Sequence, residues 1–102
     1  MTYPLISIIL PTYNGSHLIN EALESLVNQT YPNVEILISD DNSNDNTYEI
    51  CENYKKKYKN IFLAKNNFNH GGTENFLKIF KNYVKGDLFL WAQQDDVWDK
   101  NF

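Results

Sequence analysis

Short apolar runs alternate along this chain with stretches of helical period, and each apolar run empties into a polar loop. The runs Leu5 to Leu10, Val34 to Ser39, Ile61 to Ala64 and Leu88 to Ala92 have strand length and strand composition, and they predict four strands. Between the first two, Leu18, Ile19, Ala22, Leu23, Leu26 and Val27 fall on one face of a helix, which the segment Asn28 to Asn33 with its Pro32 brings to a stop. A second helix follows Asn44-Asp45-Asn46-Thr47, whose side chains suit capping. Its residues Ile50, Cys51, Tyr54 and Tyr58 point inward, while Lys55 to Lys57 and Lys59 form a solvated, dipole-compatible end. A third helix starts near Thr73 or Glu74, carries Phe76, Leu77, Ile79, Phe80, Tyr83 and Val84 as one stripe, and is ended by Gly86. The resulting order β-α-β-α-β-α-β, with right-handed crossovers, predicts an α/β fold: an open, mostly parallel sheet, helices on its faces and the strand-end loops on one rim. In such sheets ligands bind outside the carboxyl ends of the strands, where strand order reverses.

Composition narrows the partners. At 102 residues the chain is one domain with one modest core, and no apolar run approaches the ~20 residues of a bilayer-spanning helix. No secretory signal pattern follows Met1, so a cytoplasmic location, the inner face of the membrane included, is expected. The net charge of −4, with nine cationic residues that are all Lys, argues against a nucleic-acid surface. Without an Arg fork, any phosphate must be held by a metal ion, by backbone N–H groups or by a local Lys. Cys51 stands alone, which excludes a disulfide framework or a cysteine zinc site within one chain.

Four loops meet on the predicted rim: Pro11 to Ser16, Asp40 to Asn46, Lys65 to Thr73 and Gln93 to Asp99. Tyr13 sits just past a buried strand, where its ring either stacks on a planar base or packs on the first helix. Asp41 either accepts the imide N–H of a pyrimidine or serves turn and cap chemistry together with its neighbours Asp40, Asn42 and Ser43. Gln93-Gln94-Asp95-Asp96 puts two carboxylates at a strand end. They suit Mg²⁺ or Mn²⁺, or else cap a following helix. Asn69-His70-Gly71-Gly72 either brings backbone N–H groups to a sugar or phosphate or only permits a tight turn. His17 and His70 have no evident partner, and a loop or surface role suits each.

Four segments, in order and at matching spacing, resemble the family 2 glycosyltransferases of the GT-A fold. They are Ile8 to Asn14, Leu26 to Ile36, Asp40 to Asp45 and Gln94 to Trp98. Asn69, Gly71, Asn75 and Phe76 are similar to the bacterial rhamnosyltransferase-type branch that makes cell-surface polysaccharides. The resemblance implies the Rossmann-like half of a GT-A domain with a nucleotide-diphosphate-sugar site. There Pro11, Thr12, Tyr13, Asn14, Asp41, Ser43, Asn69, Gly71, Gly72 and Gln94 bind the donor. Asp95, the principal ligand, and Asp96 hold a divalent metal, Mn²⁺ or Mg²⁺, on the diphosphate. The family writes this motif Asp-x-Asp, whereas Gln93 stands first here, and a neutral amide is a poorer ligand.

The same resemblance implies an inverting enzyme that transfers the sugar to a saccharide acceptor, with a general base carried by a segment beyond Phe102. The chain is therefore expected to be the donor-binding part of a truncated domain, inactive by itself. Competing folds lose on specific residues. A dinucleotide-binding domain needs a G-x-G-x-x-G first turn, and only Gly15 follows the first strand. A phosphate receiver needs an Asp after the third strand, where Lys65 stands. A non-catalytic nucleotide-binding module, or one that self-associates through an exposed sheet edge lined by Phe89, Trp91 and Trp98, remains the alternative.

Overall fold

A computed structural model describes residues 3–101. Its elements run β1 (Ile6–Thr12), α1 (Ile19–Val27), β2 (Val34–Asp40), α2 (Thr47–Lys57), β3 (Ile61–Lys65), α3 (Gly72–Tyr83) and β4 (Leu88–Trp91). All four strands pair in parallel, in the order β3-β2-β1-β4. The sheet grows from β1 outward through β2 and β3, then returns to place β4 on the other side of β1. Strand order thus reverses between β1 and β4, and the rim above that gap is the place such a sheet offers a ligand.

The two-residue period of the strands sorts the core onto two faces. Ile6, Ile8 and Leu10 of β1, with Ile36 and Ile38 of β2, pack against Ile19, Leu23 and Leu26 of α1 and Cys51 of α2. Ile9 and Leu37 point the other way and meet Ile79 of α3 in a smaller cluster. The lone thiol of Cys51 lies fully inside the larger core. Ser7, on the α3 face, donates to the Glu35 carboxylate and accepts the Gly86 amide, so this buried polar residue of β1 is satisfied.

Several strand ends differ from expectation by one residue, and two boundaries shift further. β1 runs two residues further than its apolar pattern, through Pro11 to Thr12, because β2 continues beside it to Asp40. β4 ends opposite Ile9, so past that point β1 is paired on one side only, a position that tolerates a residue without an N–H. α3 stops at Tyr83, short of Gly86, and Val84 is extended (φ −68°, ψ 121°). The chain must straighten there for Asp87 to donate its amide to the Leu5 carbonyl and start β4.

The third helix and β4 leave an apolar strip in solvent: Leu88 is 58% exposed and Trp91 49%, beside Phe89, Leu77 and Phe80. Among the described residues, no helix is long and apolar enough to cross a membrane.

Candidate functional site

A cleft of about 550 Å³ opens at the switch point between β1 and β4. Pro11, Thr12, Tyr13 and Leu18 form one wall, and Trp91, Ala92, Gln93, Gln94 and Asp95 form the opposite one. Asp41 closes one end, with Asn69, Gly71, Gly72, Thr73 and Asn75 from the loop entering α3. All four predicted loops therefore contribute.

The β1 and β4 walls are tied together by one side chain. The Gln94 amide oxygen accepts the Tyr13 N–H at 2.8 Å, and its amide nitrogen donates to the Tyr13 carbonyl at 2.9 Å. Gln94 thereby copies the ladder that β4, having ended at Trp91, no longer supplies. This clamp presses close to the chain, since a Cβ on Gly15 would come within 2.5 Å of the Gln94 amide oxygen. The Tyr13 ring stays 40% exposed at the mouth of the cleft, available as a flat apolar surface with a wet hydroxyl.

Asp40 and Asp41 are adjacent yet do different work. The Asp40 carboxylate is fully buried and receives the Thr12 hydroxyl at 2.7 Å, the Ser43 hydroxyl at 2.6 Å and the Ser43 amide at 2.9 Å. It fastens the ends of β1 and β2 to each other. Asp41 reaches the cleft with its carboxylate gripped from the far side. Oδ1 accepts the His70 amide at 2.8 Å and the Asn66 side-chain amide at 2.8 Å, and Oδ2 accepts the Gly71 amide at 2.9 Å. Gly71 holds φ +89°, ψ 156°, a region open essentially to glycine alone, and this aims its N–H at Asp41. The loop amides that were expected to meet a sugar or phosphate are therefore partly spent on the carboxylate. His70 takes part through its backbone, while its ring stacks on Phe68 with Nδ1 3.0 Å from the Phe68 carbonyl.

Of the predicted donor-binding residues, Pro11, Thr12, Tyr13, Asp41, Asn69, Gly71, Gly72 and Gln94 line the cleft, as does Asp95. Asn14, Ser43 and Asp96 lie outside that lining. Asn14 (φ 48°) donates its amide to the Ser43 hydroxyl and accepts the Asn44 amide, so both residues lock the loops beneath the floor. Asp96 closes a turn, its Oδ2 accepting the Gln93 amide at 3.0 Å while its own amide donates to the Gln93 carbonyl. No described helix follows for the acidic pair to cap. Instead the segment folds back over α1, where the Trp98 amide meets the Ser25 hydroxyl and the Lys100 carbonyl accepts the Thr30 amide.

Leu18, Thr73, Asn75, Trp91, Ala92 and Gln93 line the cleft without having been singled out as site residues. Trp91 and Ala92 carry a sequence signal, since they end the strand whose loop was identified. Asn75, on the first turn of α3, carries the resemblance to the rhamnosyltransferase-type branch as its signal.

As a metal site the cleft offers few donors. Asp95 is an exposed carboxylate on the wall, while Asp96 is engaged in its turn. Among the described residues no group of three or more His, Cys, Asp or Glu side chains could enclose an ion. The donors fit a hydrated Mg²⁺ or Mn²⁺ held by one carboxylate and completed by substrate phosphates, and they do not fit a protein-only cage.

A parallel α/β sheet with a wide, polar-ended cleft at its switch point has the architecture of a ligand-binding α/β domain. Comparison with known proteins is more specific: the chain belongs to glycosyl transferase family 2, whose family model matches residues 7–102. It is 41% identical over 93 residues to a poly(ribitol-phosphate) beta-glucosyltransferase of Bacillus spizizenii, covering 89% of this chain and 15% of that protein. It is 38% identical over 100 residues to the dTDP-rhamnosyl transferase RfbG of Shigella flexneri, covering 90% of this chain and 33% of that one. The crystal structure of S. aureus TarS superposes with a TM-score of 0.86 at 33% identity, over 94% of this chain and 29% of that one. TarS has also been solved with UDP-GlcNAc, with a TM-score of 0.81 at 31% identity, over 94% of this chain and 28% of that one. The fold is accordingly that of the GT-A glycosyltransferases. The chain spans a third or less of the length of these relatives.

Proposed function

We propose that this chain is the donor-binding part of an inverting glycosyltransferase. The enzyme passes a sugar from a nucleotide diphosphate to a saccharide acceptor in cell-surface polysaccharide synthesis. The observation that carries this reading is the convergence of Tyr13, Asp41 and Asp95, from three separate loops, on one cleft at the switch point. Tyr13 offers a face for a planar base, Asp41 an acceptor for a base N–H, and Asp95 the charged oxygen for a divalent ion. A bound Mg²⁺ or Mn²⁺ would neutralise charge on the departing diphosphate. The relatives named for glucosyl and rhamnosyl transfer, and a neighbour solved with UDP-GlcNAc, support the same substrate class.

Inverting transfer also needs a base to take the acceptor's proton. The cleft's two carboxylates are Asp41, already holding three N–H groups, and Asp95, at the metal position. The 102 residues by themselves are therefore assigned binding without turnover.

Titration calorimetry with UDP, dTDP and GDP, with and without Mn²⁺, tests the reading. Saturable binding that weakens in Asp41→Ala, and loses its metal dependence in Asp95→Ala, is the expected result. No heat from any nucleotide would refute it. The exposed Leu88, Phe89 and Trp91 favour a second reading, a self-associating module paired through the β4 edge, which a concentration-independent monomer in sedimentation would exclude.

A further inference from the structure

Behind Asp41 lies a chain of side-chain amides that the donor-site reading does not use. Asn66, buried just past β3, donates from Nδ2 to Asp41 Oδ1 at 2.8 Å and to Asn75 Oδ1 at 2.9 Å. Its own Oδ1 accepts the Lys78 ammonium at 2.5 Å. Asn75, equally buried, donates to the Ser39 carbonyl at 2.7 Å. Both hydrogens of the Asn66 amide are thus committed, and Lys78 fixes which end of that amide faces Asp41, because an ammonium can only donate.

This arrangement sets what Asp41 can still accept. A carboxylate has about four acceptor directions, two on each oxygen. Asn66 and His70 take both on Oδ1, Gly71 takes one on Oδ2, and a single direction on Oδ2 remains. Uracil and thymine present one imide N–H between two carbonyls and need one direction. Guanine presents two parallel N–H groups, N1–H and N2–H, which match a carboxylate only when each oxygen has a free direction. With Oδ1 full, one guanine N–H would enter the cleft unpaired.

We propose that Asn66, oriented by Asn75 and Lys78, is a positioning residue that selects uracil- or thymine-type nucleotide donors over guanine-type ones by filling Asp41 Oδ1. The proposal rests on the donor-site reading above and goes further, because it assigns the base class and the residues that impose it. An unpaired buried N–H translates to about a tenfold or greater preference for UDP or dTDP over GDP.

The test is the ratio of UDP to GDP affinity, by calorimetry on the 102-residue chain, in the parent, Asn66→Ala and Lys78→Met. Asn66→Ala opens a direction on Oδ1, so the ratio is expected to fall several-fold, with GDP losing less affinity than UDP or gaining some. A purely structural role would weaken both nucleotides alike and leave the ratio unchanged. Lys78 is only half-buried, and Lys78→Met frees the Asn66 amide to turn, so a smaller fall in the same direction is expected. It carries the test if Asn66→Ala does not fold. A parent that binds UDP and GDP equally, or a ratio untouched in the folded variants, overturns the proposal while leaving the donor site standing. A parent that binds no nucleotide defeats the donor-site reading itself.

Discussion

Replacing Gly15 with Ala isolates the clamp that joins the two walls of the cleft. The new methyl would sit 2.5 Å from the Gln94 amide oxygen and 2.6 Å from its carbonyl carbon, so the amide must swing away. A flexible side chain moves at little cost in itself. What is lost is its pair of hydrogen bonds to the Tyr13 backbone. At about 0.5–1.5 kcal/mol net for each bond, Gly15→Ala should cost about 1–3 kcal/mol, nearer the lower end because this clamp is solvent-accessible. In a domain of this size that corresponds to a melting temperature lower by roughly 4–15 °C. Gln94→Ala should cost a similar amount, since it removes the same bonds. The decisive quantity is the double variant. With Gln94 already truncated, the three atoms nearest the Gly15 methyl are gone, and the second substitution should add little, a coupling about as large as either single effect. Urea unfolding followed by circular dichroism measures all four corners of the cycle. Additive costs would refute the reasoning, because they would mean that Gly15 is needed for its own backbone and not for the approach of Gln94.

Other consequences follow from single groups. Among the described residues the Ser39 hydroxyl is buried without a hydrogen-bond partner, so Ser39→Ala should leave stability unchanged or raise it by up to about 1 kcal/mol in urea unfolding. A loss above that amount would show a hidden partner. Burial raises the Asp45 carboxyl, but the hydroxyl and amide hydrogen bonds from Thr47 and Ser16 outweigh it and hold the group down to about 2. The unfolded group protonates near its ordinary 3.8, so its contribution is complete above about pH 4 and fades as pH falls toward 2. The parent should therefore lose more stability than Asp45→Ala across that acid window, and parallel profiles would contradict the assignment. Burial, reinforced by the charge of Asp40, pushes the Cys51 thiol up to about 12. A thiol reagent at pH 8 should modify it only at the rate of unfolding, and rapid modification of the folded chain would be inconsistent with this core.

The elements and their order were legible because period and punctuation agreed along the whole chain. The apolar faces of β1, α1 and β2 are the faces the structure buries, and Lys55 to Lys57 end α2 in solvent as charge and dipole suggested. Convergence of Tyr13, Asp41 and Asp95 was legible too, because parallel strands deliver their following loops to one rim. What escaped were contacts set by tertiary register. Nothing local distinguishes Asn66 from the other asparagines of this Asn-rich chain, and only the docking of α3 beneath β2 brings Asn75 to the Ser39 carbonyl and to the Asn66 amide that reaches Asp41. Likewise, whether Asp96 faces the cleft or closes a turn depends on the path of residues 97–101 over α1, which no spacing encodes. The early end of α3 belongs to the same class, since it follows from the pairing of Asp87 with Leu5.

Nuclear magnetic resonance of the 12.0 kDa chain during a UDP titration bears most directly on whether the switch-point cleft is the nucleotide site. Amide shifts should move at Thr12, Tyr13, Asp41, Gly71 and Gln94, with the α2 surface around Tyr48 and Lys56 silent. A spectrum that stays still, or shifts gathered on α2, would contradict that assignment.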